Sequence, residues 1–479
     1  MIQLSIKEID PNLITNVSLD QATPIFFIQE LNELRKLIPA SDFKFLKAIN
    51  FQGFYGERII LSEPDGKIGK VIIGCKENEK IKPVFCIGSQ ISNLPDGTYS
   101  LKNLPDYMDI RELYLGFYFS FYSYKLDKSS GKKTGKLSKP RICESPLTDH
   151  SKFVYFAESE FIARDLINSP ANYLGPLELE EYASSFANFH QMSFSTIRGT
   201  DLIGENLPLI HDVGRASEQE PRLIEMEWGK KKGAFGVTLV GKGVCFDSGG
   251  LNLKSPAGMR NMKKDMAGAA VVLALAHYLI SSGLDLHLRI LIPCVENSVA
   301  SNAFRQGDVL KSRSGKSIEV QNTDAEGRLI LADALTLASE ESPDLLISFA
   351  SLTGSARVAM GPDLTPFFST DDYVANLVQS SGKELLDPVW QLPFYEGYQE
   401  YLGSEIADLN NAPSGGMAGS ITAALFLKQF TNDHKKFLHF DIFGWNQKSR
   451  PGKSYGGLLQ GARALAGGIE KILKSHAQS

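Results

Sequence analysis

The chain has 479 residues, of which 43% are hydrophobic and 22% charged, and its formal net charge is −5. That length and composition fit a soluble globular protein of two or three domains, and the charge carries no basic nucleic-acid footprint at whole-chain level. The N-terminus, MIQLSIKEIDPNLITN, lacks a basic region followed by an uninterrupted apolar stretch, so no signal peptide is read there.

In chain order, the first ~120 residues mix short strand-like runs (IFFI, RIILS, KVIIGC, PVFCIG) with helix-like segments such as QELNELRKLI. Tyr107 to Tyr124 is strongly aromatic, and core packing or a domain contact explains it better than a ligand-stacking surface. KLDKSSGKKTGKLSKP then reads as an exposed linker, its charge run solvated rather than bound to nucleic acid. Beyond Phe161 the pattern changes. The runs GVTLVG, LRILIPCV, LLISFAS and FLHFDIFG alternate with the helix-like AGAAVVLALAHYLI, RLILADALTLASE and SITAALFLKQF. The expected fold class is α/β in two domains. Residues 1–150 form a smaller α/β domain ending in the Lys-rich linker. Residues 160–479 form a domain with a central, mostly parallel or mixed sheet covered by helices. The most apolar helix, Ala267 to Ile280, is interrupted by His277 and is too short to span a bilayer.

Five cysteines (Cys75, Cys86, Cys143, Cys245, Cys294) are scattered without a C-x-x-C, which argues against a disulfide framework and a thiolate zinc site. A reducing, cytoplasmic location is expected. The histidines are dispersed, with no H-E-x-x-H, so any metal would be held mainly by oxygen.

Site-forming residues in α/β sheets gather where strands end and helices begin, and two segments fit that description. In GVTLVGKGVCFDSGGLNLKSPAGMRNMKKDMAGAA, the G-x-x-x-x-G-K match ending at Lys242 is followed by Gly243, not the Ser or Thr of a P-loop, and VTLV is strand-like. The same stretch holds Lys242, Asp247, Lys254 and Asp265. Asp265 alone would read as a helix cap. The second segment, NTDAEGRLILADAL, sets Asp324, Glu326 and Arg328 just ahead of a buried helix. If extended, those three project to one side. Crowded carboxylates need neutralising, by solvent or, more effectively, by cations. Asp247, Asp265, Asp324 and Glu326 match the charge of two divalent ions.

VGKGVCFDSGG, MKKDMAGAA and NTDAEGRLILADAL resemble the signature segments of the leucyl aminopeptidase (cytosol aminopeptidase) family of di-metal peptidases. The resemblance continues through DLINSPANYLGP, VENSVASNAFRQGDVL and SLTGSARVAMGPD, from about Ala163 onward. It implies that Lys242, Asp247, Asp265, Asp324 and Glu326 are metal ligands, with Asp247 and Glu326 bridging two divalent ions. Lys242 and Asp265 would complete one site. Asp324, including its backbone carbonyl, would complete the other. Zinc or manganese is implied, with magnesium or cobalt as alternatives. A lysine ligand must be neutral, which adjacent cations can enforce. Lys254 and Arg328 would be the catalytic side chains, with bicarbonate held near Arg328 as proton acceptor for a bridging water or hydroxide. Met262, Ser351, Leu352, Gly354, Phe443 and Asn446 would line the pocket for the first side chain. The family more often has a small residue at the position of Phe443, an apolar one at that of Asn446, and Gly at that of Ala267.

The resemblance also implies peptide substrates with a free α-amino group, intracellular peptide turnover and a homohexamer built as a dimer of trimers. No membrane partner is expected. A nucleic-acid-binding assembly and a phosphoester hydrolase are rival readings. The first has little support in the charge; the second fits the ligands but not the Lys254 and Arg328 spacing.

Overall fold

In a computed structural model, the structure describes residues 9–10, 13–15, 19–76, 84–124, 126, 139–143, 150–413 and 415–476. They divide into two compact units, one spanning residues 9–157 with 448–455, the other spanning residues 158–447 with 456–476. Most of the Lys-rich run lies outside the described residues.

The first unit holds a six-stranded sheet in the spatial order Ile14–Thr15, Pro140–Cys143, Gly97–Lys102, Thr23–Ile28, Ile68–Gly74, Arg58–Ser62. All its pairs are parallel except the last, Arg58–Ser62 against Ile68–Gly74. IFFI, RIILS and KVIIGC are strands, as their apolar runs predict. PVFCIG is not: Cys86–Ser92 is a helix, because Gly88 brings it onto the helix Ile110–Phe119. A Cβ on Gly88 would lie 2.0 Å from Leu113 O and 2.4 Å from Phe117 N, so these helices touch backbone to backbone. A short apolar run cannot be assigned by periodicity alone, and here the partner helix decides. QELNELRKLI forms a 3-10 helix, Leu31–Lys36. The aromatic stripe becomes the helix Ile110–Phe119, with Leu113 through Phe119 buried, which is the core-packing role.

The second unit is built on a nine-stranded sheet. Eight strands follow the order Val389–Gln391, Thr365–Ser369, Phe437–Asp441, Leu345–Ala350, Phe235–Gly241, Leu286–Asn297, Arg222–Trp228, Ser193–Arg198, and Gly243–Asp247 pairs with the far part of Leu286–Asn297. The four middle strands are parallel. The flanks, at Thr365–Ser369 and Arg222–Trp228, are antiparallel to their inner neighbours. The middle strands are buried on both faces, which explains their unbroken apolar runs. Helices Glu326–Glu340 and Gly419–Lys428 share one core with Val240, Leu291, Leu346 and Phe437. Ala267–Ser281 is apolar all round and buried, and it packs with the helix Ala462–His476. No described helix is long and apolar enough to cross a membrane.

This topology stacks the C-terminal ends of parallel strands side by side. Lys242, Asn297, Ser351 and Asp441 all stand at those ends, where open α/β sheets collect their polar groups.

Candidate metal centre

Asp247, Asp265 and Glu326 converge, with one carboxylate oxygen of each lying within 4.8 Å of the others. Asp247 ends the strand Gly243–Asp247, Asp265 caps the 3-10 turn Met262–Lys264, and Glu326 opens the helix Glu326–Glu340. Lys242 leaves the central strand and sets Nζ 2.7 Å from Asp265 Oδ2 and 2.8 Å from Glu326 Oε1. Lys254 Nζ lies 2.7 Å from Asp247 Oδ2 and 2.5 Å from Asp324 Oδ1. Arg328 is buried nearby, but its NH1 donates to Asn411 O at 2.5 Å instead of to a carboxylate.

An extended arrangement of Asp324, Glu326 and Arg328 is not what forms. The strand ends at Glu319, and the chain turns at Asn322, whose Oδ1 accepts Asp324 N at 2.8 Å. Glu326 and Arg328 occupy the first helical turn. Two residues on a helix differ by roughly 200° in direction, so the side chains part toward different partners. Gly327 sits between them for a steric reason: a Cβ there would lie 2.5 Å from Lys242 Cε and 2.6 Å from its Nζ. Gly268 similarly lets the buried helix meet the strand ends, since its Cβ would lie 2.1 Å from Phe349 O. Ala267 is buried against Gly444, where a Cβ would stand 2.6 Å from that of Ala267.

The charges here are strongly coupled. Burial, then repulsion from Asp247, pushes the Glu326 carboxyl up to about 8 and raises that of Asp324. Burial also works against the charge of Asp265, but Lys242 and Lys264 hold it below the usual range. Burial opposes both ammoniums, yet the carboxylates outweigh it and keep Lys242 and Lys254 above the ordinary lysine value. Adjacent divalent cations would reverse that sign for Lys242.

The donor set fits metal ions. Among the described residues, the buried Glu326 Oε2 has neither a hydrogen bond nor an ion pair. Glu326 Oε1, Asp265 Oδ2 and Asp324 Oδ1 each meet only an ammonium, at ion-pair distance. Four carboxylates thus share two paired ammoniums, and a buried carboxylate oxygen left without a partner is what a hard or borderline cation takes.

Several positioning residues fall outside the candidate set, and among them Asp441 alone carried a signal, as an acidic residue ending an apolar strand. Asn297 Nδ2 donates to Asp247 Oδ1 at 2.9 Å and to Thr323 O at 3.0 Å, joining both motif segments. Thr323 and Asn252 exchange bonds at 2.8 Å. Asn411 Oδ1 accepts Gln321 N at 2.8 Å, and its Nδ2 donates to Asn322 O at 2.7 Å. Asp441 Oδ1 accepts Leu352 N and Thr353 N, while Oδ2 accepts Thr353 Oγ1 at 2.6 Å and Ser420 Oγ at 3.0 Å.

Of the residues expected to line a substrate pocket, Ser351 is tied directly to the cluster, its Oγ donating to Asp265 Oδ1 at 2.6 Å. Leu352 follows it, held by Asp441, and Gly354 is exposed at the start of the helix Gly354–Met360. Met262 is half-buried at the start of its 3-10 turn. Phe443 is half-buried, its N–H donating to Gln460 Oε1 at 3.1 Å. Asn446 is buried in a short ladder with Gly456–Gly457.

A family model described as the cytosol aminopeptidase family, catalytic domain, matches residues 161–466. A cytosol aminopeptidase of Encephalitozoon cuniculi (strain GB-M1) is 36% identical over 414 residues, which span 84% of this chain and 83% of that one. Peptidase B of Enterobacter sp. (strain 638) is 41% identical over 294 residues, 60% of this chain and 69% of that one. Among solved structures, the cytosol aminopeptidase from Coxiella burnetii aligns with a TM-score of 0.87 at 37% identity, covering 96% of this chain and 99% of its own. The bottromycin maturation enzyme BotP in complex with Mn aligns with a TM-score of 0.83 at 27% identity, covering 95% and 100%.

Proposed function

The chain belongs to the cytosol aminopeptidase family and is a hydrolase acting on peptide bonds, and from that premise we propose that it removes N-terminal residues from peptides with a free α-amino group. The observation that carries this reading is the buried cluster of Asp247, Asp265 and Glu326, in which Glu326 Oε2 has neither a hydrogen bond nor an ion pair among the described residues. Lys242, Asp247, Asp265, Asp324 and Glu326 would hold two divalent ions, zinc or manganese in first place and magnesium or cobalt as alternatives. The manganese complex of BotP supports manganese. Such a pair supplies Lewis-acid sites and a bridging water that ionises near neutral pH.

The chain's own residues would do the rest. Lys242 would have to give up its proton to serve as a ligand. Lys254, released from Asp247 and Asp324, would present its ammonium to the scissile carbonyl and stabilise the oxyanion as it develops. Arg328 would hold a bicarbonate ion that accepts a proton. Its buried Nε has no hydrogen-bond partner, which leaves a donor for an anion. Asn297, Thr323 and Asn411 keep the two motif segments in register, so these groups would meet the substrate already oriented.

The activity would reside in the domain of residues 160–479, with residues 1–150 as a separate α/β domain. A cytoplasmic homohexamer engaged in peptide turnover completes the reading; the relatives named cytosol aminopeptidases support the location. The test is paired cleavage of a short peptide and its N-acetylated twin. Release of the first residue from the free peptide alone is expected, and equal cleavage of both would refute an aminopeptidase.

A further inference from the structure

Beside the cluster stand two cations that the chemistry above does not use. Lys264 precedes Asp265 and is only 6% exposed. Among the described residues, no carboxylate lies within ion-pair distance of it and its ammonium makes no hydrogen bond; the ammonium lies 5.1 Å from the centroid of the Phe443 ring. Arg357, exposed on the helix Gly354–Met360, sets its guanidinium carbon 4.8 Å from the same centroid and likewise has no carboxylate partner among those residues.

Both cations belong to the neighbourhood of the carboxylates. Phe443 follows Asp441 by two residues, and Asp441 holds Leu352 and Thr353, next to the Ser351 that binds Asp265. Burying a lysine without a partner is costly. An aromatic face offsets part of that cost. Arg357 adds a planar fork suited to a carboxylate. Two divalent ions would neutralise the four cluster carboxylates, and Asp441, which lines one small cavity with Arg357 and Phe443, spends both oxygens on Leu352, Thr353 and Ser420, so the carboxylate of a ligand would be the directed partner of the two cations.

We propose that Phe443, Lys264 and Arg357 form a positively charged wall of the first-residue pocket, which selects peptides beginning with an acidic residue. The inference rests on the aminopeptidase reading and deepens it. A bulky Phe443 then narrows the pocket and also holds two cations where a side-chain carboxylate would end.

The test compares kcat/KM for glutamyl, glutaminyl and leucyl chromogenic anilides with the metal-loaded full chain. Glutamate and glutamine share size, so their ratio isolates charge. A preference for glutamate of about ten-fold is expected, the scale of one charge-assisted contact. Arg357→Gln and Lys264→Met should each cut that ratio several-fold, and added salt should lower it in the unmodified protein. The ratio is internal to each variant, so a lower folded fraction cancels. Equal or poorer cleavage of the glutamyl substrate, or a ratio unmoved in both variants, would overturn the proposal while leucyl cleavage left the aminopeptidase reading standing. Failure on all three anilides would instead count against that reading.

Discussion

Gly327→Ala perturbs the centre without replacing a proposed ligand. The new methyl would stand 2.5, 2.6 and 2.9 Å from Lys242 Cε, Nζ and Cδ. Ordinary contacts lie at about 3.5–4.0 Å, so the lysine must retreat by roughly 1 Å. It has no free rotamer to take, because it is buried with Nζ held 2.7 Å from Asp265 and 2.8 Å from Glu326. Forced overpacking of this kind costs about 1–3 kcal/mol, and a displacement of about 1 Å at an oriented site can cost on the order of 100-fold in rate. Urea denaturation would read the first effect, and kcat/KM on a leucyl anilide with excess metal would read the second. A variant within about 0.5 kcal/mol and unchanged in rate would refute the steric argument for Gly327 and the fixed place assigned to Lys242.

Lys254→Ala should keep its metal and lose about 100- to 1000-fold in kcat, as removal of an oxyanion donor does; metal loss on the same scale would show that Lys254 acts as a ligand. Asn411→Ala removes side-chain bonds to Gln321 and Asn322 and should cost about 1–3 kcal/mol with a fall in kcat, checked by denaturation and steady-state rates; no change in either would contradict its positioning role. Burial, then His277, lowers the pKa of His190 to about 4. The unfolded chain therefore takes up a proton near pH 6.5 that the folded one refuses, so stability present above about pH 6.5 is lost as pH falls toward 4, by at most about 1.4 kcal/mol per pH unit. His190→Gln should flatten that slope in urea titrations; an unaltered slope would show that His190 does not carry it.

The parallel core was legible because strands buried on both faces leave unbroken apolar runs, as in LRILIPCV and LLISFAS. The charged residues at strand ends were legible for a related reason: Asp247, Asp265 and Glu326 are costly beside buried elements unless something neutralises them. Local conformation was harder to read. PVFCIG reads as a strand until Gly88 meets the backbone of the neighbouring helix, and no periodicity within the run reports that contact. Glu326 and Arg328 fit an alternating pattern, but the helix begins two residues after Asp324 and its turn separates them. Asn411 was invisible for a topological reason, since it acts on Gln321 and Asn322 across about ninety residues of chain. Asp441 did have a signal, as an acidic residue ending an apolar strand. Its side chain holds the loop that follows Ser351.

The proposed function requires that Lys242, Asp247, Asp265, Asp324 and Glu326 hold a pair of divalent ions. It is tested most directly by elemental analysis of the protein after equilibration with manganese or zinc and removal of free metal, with Glu326→Ala treated in parallel. Two ions per chain in the unmodified protein, and loss of bound metal together with cleavage in the variant, are predicted. An unmodified protein that cleaves peptides without bound metal, or a variant that keeps both ions, would contradict the account.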